Sequence, residues 1–286
     1  MARPYWFILL MAVAIHAHAV SLGSRNAIVV DEKSGSVLLE KHATDIVPIA
    51  SLTKLMTAMV ILDAKLDMQE LITISEADVD WLKHSSSRVP VGATFPRDTL
   101  LELALMSSDN RAAFALARTY PGGMMEFLGA VRAKAAMLGM RRTNIEEPTG
   151  LSPHNTSTAL DMAKLAIAAS QYPDIERITT VAGDTIDVNG HATTYRNTNH
   201  LVSDRNWNIL LSKTGFTREA GRCIIMRIQA AGRNAVVVLL NARETVNRTA
   251  DAMQVHRMLR GEPEQLVSDA NVKRRGKNGK GQRKLA

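Results

Sequence analysis

The sequence contains a single cysteine among its 286 residues. Cys223 therefore has no partner within the chain for a disulfide, and a hydrophobic core must hold the fold together unaided. Because Cys223 lies in the apolar run "GRCIIMRI", which is typical of a β-strand, we expect a buried and unreactive thiol. Beyond the N-terminus, no apolar stretch reaches the roughly 20 residues of a membrane-spanning helix. The composition thus excludes a disulfide scaffold and argues against a multi-span membrane protein.

Motifs of several enzyme classes are also missing. The eight histidines are scattered, with neither an H-E-x-x-H pair nor a cluster with cysteine, which argues against a zinc peptidase. His154 in "LSPHN" is expected to be a loop residue and not a metal ligand. There is no G-x-S-x-G turn of the α/β-hydrolases and no glycine loop of the dinucleotide-binding type. The sequence predicts no metal and no cofactor.

The N-terminal segment "MARPYWFILLMAVAIHAHAV" has the three parts of a secretory signal peptide. Arg3 supplies the basic start, residues 6–15 form the apolar run, and residues 17–19 form a small-x-small cleavage site. We therefore predict a signal peptide over residues 1–19 and a mature chain that starts near Val20, in the periplasm. An uncleaved segment that anchors the protein is the alternative.

The net charge of +7 comes from the C-terminus. Residues 273–284, "KRRGKNGKGQRK", hold seven lysines and arginines and no acidic residue. Setting aside these seven and Arg3 leaves 27 of the 35 basic residues, against 28 acidic ones. The body of the protein is thus nearly neutral, and we expect no nucleic-acid partner. Residues 263–286 are predicted to be a disordered basic tail, either simply solvated or in electrostatic contact with anionic envelope polymers.

The order of the elements predicts a protein of the α/β class, α+β type. "NAIVVDEKSGSVLLEKHA" favours a β-hairpin that turns at residues 33–35, and residues 66–205 are predicted to be mostly helical. From Asn206 onward, three β-type runs precede a closing amphipathic helix. We expect an antiparallel sheet flanked by helices, with edge strands from the N-terminal hairpin, and a mostly helical lobe across a cleft. A single domain over residues 20–262 would contain all of this.

A lysine occupies an unusual position in "IASLTKLMTAMVILDA", residues 49–64. The apolar spacing predicts a helix with Ser51 at its N-cap or in its first turn, where the helix dipole favours an acid; Lys54 there costs roughly 0.3–1 kcal/mol. Residues at i and i+3 share one helix face, so the Lys54 amine can reach the Ser51 hydroxyl. A dry cleft and a second cation, Lys213, would lower the pKa of Lys54 and make it the base that activates Ser51.

Two further polar clusters complete a pattern. "LALMSSDNRAA" places Ser108 and Asn110 directly after an apolar helical run, and "LLSKTGFTREAG" places Lys213, Thr214 and Gly215 on an apolar strand. Each cluster alone is a weak signal. In the order Ser-x-x-Lys, Ser-Asp-Asn, Lys-Thr-Gly they form the signature of penicillin-recognising enzymes with an active-site serine.

The chain resembles the low-molecular-mass penicillin-binding proteins through most of its length. Stretches such as "ASLTKLMTAM", "EPTGLS" and "RNTNHLV" are similar to the D-alanyl-D-alanine endopeptidases, the penicillin-binding protein 7 type. The resemblance implies a fold like that of the β-lactamases and transpeptidases, peptidoglycan peptides as substrates and β-lactams as covalent inhibitors. Related D,D-carboxypeptidases usually carry a second β-rich domain and an amphipathic anchor. Only about 70 residues follow Lys213 here, which favours the endopeptidase type.

The resemblance also implies roles on the helical side of the cleft. Ser51 is the nucleophile and Lys54 its base, while Ser108 relays a proton from Lys54 to the leaving amine. Asn110 holds the amide carbonyl of the substrate through its side-chain NH₂. Asp109, between them, is expected to be structural or solvent-facing and not catalytic.

On the strand, the resemblance assigns substrate contacts. Lys213 and Thr214 would bind the anionic end of a D-Ala-containing peptide, and Gly215 would let the substrate backbone approach closely. The backbone N–H groups of Ser51 and Phe216 would form the oxyanion hole.

Three alternatives remain at this point. A D,D-carboxypeptidase would use the same residues to remove a terminal D-Ala. A serine β-lactamase would need a deacylating acid, for which Glu146 and Glu147 are positioned, although "EEPTGL" lacks the asparagine that follows that acid in one β-lactamase class. The third alternative is a cell-wall-binding protein without activity, which all the intact motif side chains argue against.

Overall fold

The structure is a computed structural model that describes residues 22–262. The signal peptide predicted over residues 1–19 and the basic tail predicted over residues 263–286 lie outside the described residues. Eleven strands are described: β1 (Asn26–Asp31), β2 (Val37–Lys41), β3 (Val47–Pro48), β4 (Leu71–Thr73), β5 (Thr94–Pro96), β6 (Thr156–Ser157), β7 (Gly183–Val188), β8 (His191–Arg196), β9 (Asn208–Thr217), β10 (Gly221–Ala230) and β11 (Arg233–Ala242). Seven α-helices accompany them: α1 (Thr53–Asp63), α2 (Arg97–Met106), α3 (Asn110–Arg118), α4 (Gly123–Met137), α5 (Ala159–Ala169), α6 (Pro173–Thr180) and α7 (Thr245–Leu259).

The main sheet is antiparallel, and its strand order is β2-β1-β11-β10-β9. Its central strands are apolar on both faces, because each face is covered by helices. Alternate residues therefore enter two cores. One core, shared with α1 and α5, contains Ile28, Val30, Val236 and Val238, and the other, beneath α7, contains Ala27, Val29, Val237 and Leu239. The predicted α+β architecture is confirmed.

One detail of the predicted sheet is wrong. The N-terminal hairpin supplies only one edge, β2, while β1 lies inside the sheet and pairs with β11. The other edge is β9, the strand that carries Lys213 to Phe216. Although β9 is an edge strand, its residues 211–215 are buried, because α6 and the turn before α1 pack against it.

The segment from residue 66 to 205 is less helical than predicted. It contains α2 to α6, but also β4, β5, β6 and the hairpin of β7 and β8. The stretch "VNGH", residues 188–191, is the turn of that hairpin, where Asn189 and Gly190 both have positive φ, 54° and 83°. An Asn-Gly pair between short alternating runs is a hairpin signal, which the sequence analysis missed.

Helix α1 forms the centre of the molecule. Every residue from Thr53 to Ile61 is buried, including Lys54, and α2, α3, α4 and α5 all pack against it. Cys223 is buried within β10, as predicted, and burial raises the pKa of its thiol to about 11. Within residues 22–262, no helix is long and apolar enough to cross a membrane.

Candidate active site

Ser51 lies one residue before the N-cap of α1, and not at the N-cap or in the first turn as the sequence predicted. It belongs to a single 3₁₀ turn, Ala50–Leu52, and the N-cap of α1 is Leu52, with no side chain that caps the helix. The predicted N-cap position of Ser51 is therefore wrong. As a result, the Ser51 hydroxyl is not used for capping, and it accepts a hydrogen bond of 3.0 Å from the Lys54 Nζ.

The backbone around Ser51 is tightly confined. Ala50 has a φ of 48°, in the left-handed region that side chains with a Cβ rarely adopt. Gly150 has a φ of 87°, and a Cβ there would overlap the Ala50 carbonyl and lie 2.8 Å from the Ser51 nitrogen. A Cβ at Gly215 would lie 3.1 Å from that same nitrogen. Both glycines thus let their backbones lie directly against the serine turn.

The two glycines give one expected residue a further role and add a new residue. Gly215 packs against the turn that holds Ser51, and its predicted role of admitting the substrate backbone stays a prediction. Gly150 was not singled out as a functional residue, although "EPTGLS" was recognised as a characteristic stretch. A threonine-glycine pair in a polar loop carries no spacing that links it to Ser51.

Lys54 is buried and makes three hydrogen bonds. Its Nζ donates to the Ser51 Oγ, to the Asn110 Oδ1 at 2.7 Å and to the Thr149 carbonyl at 2.8 Å. Burial lowers the pKa of Lys54 from 10.5 to about 8, and the carboxylates of Glu147, Asp109 and Asp80 oppose this shift. Of the two predicted causes, burial is the one that lowers the pKa of Lys54, and Lys213 is not among the groups that shift it.

Lys213 lies on β9, fully buried, and faces Ser108. Its Nζ donates to the Ser108 Oγ at 2.8 Å and to the Thr214 carbonyl at 3.1 Å. Burial, and then repulsion from Lys54, hold the pKa of Lys213 well below 10.5. The two lysines therefore do interact, and each has its own serine hydroxyl.

Ser108 lies between α2 and α3 with a φ of 61°, a second left-handed residue in the site. The sequence analysis expected its hydroxyl to exchange a proton with Lys54, but the hydroxyl is bonded to Lys213. The proton relay stays a prediction.

The start of α3 supplies the other two residues of the Ser-Asp-Asn motif. Asp109 is the N-cap: its carboxylate accepts from the Ala112 N–H at 3.0 Å and from the Ser87 Oγ at 2.7 Å. Its structural role is thereby confirmed. Asn110, the first helical residue, accepts from Lys54, and its NH₂ donates to the Ser85 Oγ at 2.8 Å. The amide that would hold substrate is thus engaged by Ser85.

The remaining strand residues lie on either side of Gly215. The Thr214 hydroxyl donates to the Thr198 Oγ1 at 2.6 Å, and Thr198 is a partner that the sequence analysis missed. Phe216 is exposed, and the guanidinium of Arg222 lies 3.5 Å from the centre of its ring. Lys213 lies on the edge strand β9, and the turn that carries Ser51 packs against the same strand at Gly215, so both residues lie at one edge of the sheet.

The two glutamates considered as deacylating acids hold the loop that follows them. Glu147 accepts from the backbone N–H groups of Thr149 and Gly150, at 2.8 and 2.6 Å. Glu146 is exposed and accepts from the Ser152 Oγ at 3.2 Å. His154 is an exposed turn residue in the same loop, as predicted.

An apolar pocket of about 260 Å³ adjoins the site. Asn110 and Thr149 form its inner wall, and Trp81, Leu82 and Phe114 give it an apolar character. Larger cavities beside α4 and α7 contain none of the motif residues. In residues 22–262, no group of three or more His, Cys, Asp or Glu side chains is arranged to hold a metal ion.

Comparison with known proteins identifies the family. A family model described as D-alanyl-D-alanine carboxypeptidase matches residues 13–244. The chain belongs to this family. The D-alanyl-D-alanine carboxypeptidase family comprises serine-type peptidases, and this chain is one of them.

Relatives of the chain support the same conclusion. It is 45% identical to a D-alanyl-D-alanine endopeptidase of Pseudomonas aeruginosa over 240 residues, and this match covers 83% of this chain and 77% of the relative. It is 43% identical to a D-alanyl-D-alanine endopeptidase of Escherichia coli over 246 residues, a match that covers 85% of this chain and 79% of the relative. A Streptomyces DD-transpeptidase structure superposes with a TM-score of 0.76 at 25% identity, over 82% of this chain and 95% of that one. The predicted fold and family resemblance are confirmed.

Proposed function

We propose that this serine peptidase cleaves the D-alanyl cross-links of peptidoglycan, an endopeptidase reaction through an acyl-enzyme on Ser51. The observation that carries the proposal is the Lys54 Nζ, buried and 3.0 Å from the Ser51 Oγ, with a pKa near 8. A pKa of 8 leaves roughly a tenth of the Lys54 amines neutral at pH 7, about 300-fold more than the ordinary value of 10.5 would. Lys54 is thus able to act as a base.

Acylation joins the Ser51 Oγ to the carbonyl carbon of the D-alanine before the scissile bond. The serine proton passes to the neutral Lys54 amine as this bond forms. Negative charge then develops on the carbonyl oxygen, within reach of the N–H groups of Ser51 and Phe216. The confinement of the Ser51 nitrogen by Gly150 and Gly215 supports this pair, because it holds one of the donors rigidly.

Departure of the amine completes the acyl-enzyme. The carbon–nitrogen bond breaks with its electron pair on nitrogen, and the leaving nitrogen takes a proton that Lys54 received, through the Ser108 hydroxyl. Ser108 is bonded to Lys213, whose charge favours release of that proton. Water then attacks the ester carbon, with Lys54 again as base, and Ser51 regains its proton.

Substrate contacts would replace hydrogen bonds that Lys213, Thr214 and Asn110 now make within the site. A carboxylate on the leaving side would bind Lys213 and the Thr214 hydroxyl. Asn110 would exchange its bond to Ser85 for one to the substrate amide carbonyl. The apolar pocket beside Asn110, with Trp81 at its mouth, has room for the methylene chain of the stem peptide.

The same geometry argues against a β-lactamase. Rapid deacylation needs an acid that activates water, and Glu147 already accepts hydrogen bonds from its own loop. We expect β-lactams to form a stable ester with Ser51. The predicted signal peptide supports a periplasmic location in the cell envelope, and the basic tail supports contact with anionic polymers there.

A digest of purified muropeptides tests the endopeptidase assignment. Mature protein should split D,D-cross-linked dimers into monomers faster than it removes D-Ala from a monomeric pentapeptide. Ser51→Ala, as the control, should do neither. If the pentapeptide is trimmed while dimers stay intact, the enzyme is a carboxypeptidase, as are other members of the family.

A further inference from the structure

A single carboxylate organises the loop over residues 147–152. Glu147 accepts from the N–H groups of Thr149, Gly150 and Ser152, from the Thr149 hydroxyl and from the Asn155 Nδ2. The Asn155 amide also donates to the Glu147 carbonyl at 2.8 Å. A carboxylate that accepts this many hydrogen bonds is held in one position, and it holds its donors in turn.

This loop touches both members of the Ser51–Lys54 pair. The Thr149 carbonyl accepts from the Lys54 Nζ at 2.8 Å, and Gly150 lies directly against the Ser51 nitrogen. The loop is therefore a support for the base and for one donor of the proposed oxyanion hole. Glu147 shapes the loop without any hydrogen bond of its own to Ser51 or Lys54.

The charges that face Lys54 come from four elements. Glu147 is the strongest of the carboxylates that attract its proton, followed by Asp109 at the start of α3 and Asp80 in the loop before it. Lys54 in turn acts on Lys213 of β9, whose pKa is lowered by burial and then by repulsion from Lys54. Asp80 is held by the N–H groups of residues 82, 83 and 85, so neither it nor Asp109 supports the Ser51 turn.

We propose that Glu147 is a positioning residue for acylation, which shapes the loop beneath Ser51 and holds the proton on Lys54 through its negative charge. This inference rests on the proposed role of Lys54 as the base. Glu147 neither touches the substrate nor takes part in a covalent step; it acts only through Lys54 and the loop. Its charge prevents burial from depressing the basicity of Lys54 further.

The test is the pH dependence of acylation by a fluorescent penicillin, followed from about pH 6 to pH 10. Glu147→Gln removes the charge, so Lys54 should lose its proton more readily. The acid limb of the profile should move to lower pH by about half to one unit. The plateau rate should fall several-fold, because an amide accepts fewer of the loop hydrogen bonds.

Two variants separate charge from shape. Glu147→Asp keeps the charge on a shorter stem, so its plateau should fall while its acid limb stays at the wild-type pH. Glu146→Gln is the matched control: its carboxylate is exposed and bonds only to Ser152, and both limb and plateau should be unchanged. Thermal unfolding of each variant shows whether it is folded at the assay temperature.

Two results would overturn the inference. One is an acid limb of the Glu147→Gln profile that lies at the same pH as in the wild type, whatever the plateau rate of the variant. The other, decisive if Glu147→Gln does not fold, is an acid limb of Glu147→Asp displaced to lower pH. Failure of the proposed acyl-enzyme on Ser51 has a different signature, since labelling would then persist in Ser51→Ala at every pH, and failure of the endopeptidase assignment would show only in the muropeptide digest.

Discussion

At the scale of single residues, Lys54 stands where helix electrostatics disfavours it, and the tertiary structure accounts for its position. Its amine is removed from water and surrounded by the Ser51 hydroxyl, the Asn110 side-chain oxygen and the Thr149 carbonyl. A protonated amine has three hydrogens, and these three acceptors match them. The same burial lowers the pKa, so the amine is held in place as an ammonium ion and can still lose a proton.

The first prediction concerns the pH dependence of the wild-type enzyme. Below a pKa of about 8, Lys54 is protonated and cannot accept the serine proton, so the rate of acylation should fall about tenfold per pH unit. Rates of labelling by fluorescent penicillin over a pH series measure this limb. Lys54→Ala should slow labelling by orders of magnitude and abolish the limb. An unchanged limb in that variant would assign it to another group.

At the scale of elements, the site lies where two segments meet the turn before α1. The edge strand β9 approaches from one side through Gly215, and the loop over residues 147–152 approaches from the other through Gly150. A Cβ at Gly150 would overlap the Ala50 carbonyl, and a Cβ at Gly215 would make tight contacts of 3.1 Å with the serine turn. The reactive serine is therefore fixed by backbone contacts, which depend on the absence of side chains.

The second prediction tests this confinement. Gly150→Ala should unfold at a markedly lower temperature and lose most of its acylation rate, because the new Cβ overlaps the Ala50 carbonyl. Gly35→Ala is the matched control, since Gly35 also has a positive φ, 71°, but no atom within 4 Å of its added Cβ. Gly35→Ala should lower the free energy of unfolding by about 1 kcal/mol, because alanine disfavours this backbone conformation, and should leave the acylation rate unchanged. Equal destabilisation by the two variants would show that the close contact contributes nothing.

At the scale of the whole molecule, charge is unevenly distributed along the chain. Residues 273–284 carry seven basic residues and no acid, while the body has almost equal numbers of both signs. An attraction between this segment and anionic polymers would act on the location of the enzyme and not on its chemistry. It would also be screened by salt.

The third prediction follows from that separation. Deleting residues 272–286 should leave the rate of penicillin acylation unchanged and weaken binding to isolated anionic cell-wall polymers at low salt. Co-sedimentation at low and high salt measures the difference. Equal binding of the full and shortened chains at low salt would remove the role assigned to the tail.

Much of this protein was predictable from its sequence because the decisive signals are local. The spacing of Ser51 and Lys54 is a property of one helical turn, and the Ser-Asp-Asn and Lys-Thr-Gly motifs are each three consecutive residues. Short β-type apolar runs likewise predicted the strands of the main sheet. Two errors were local too, the N-cap position of Ser51 and the missed Asn-Gly hairpin turn, whereas the position of β1 depends on its pairing with the distant β11.

Only the tertiary structure decided which residues complete the site. Asn110 and Thr149 lie 56 and 95 residues from Lys54 along the chain, and Ser108 lies 105 residues from Lys213. No periodicity connects such positions, because their contact depends on how the sheet and the helical lobe close around α1. Glu147 shows this most clearly: the sequence presented it as an acid for deacylation, and the folded loop commits its carboxylate to five hydrogen bonds. The residue types and local spacings carry the chemistry, and the long-range packing determines which groups take part.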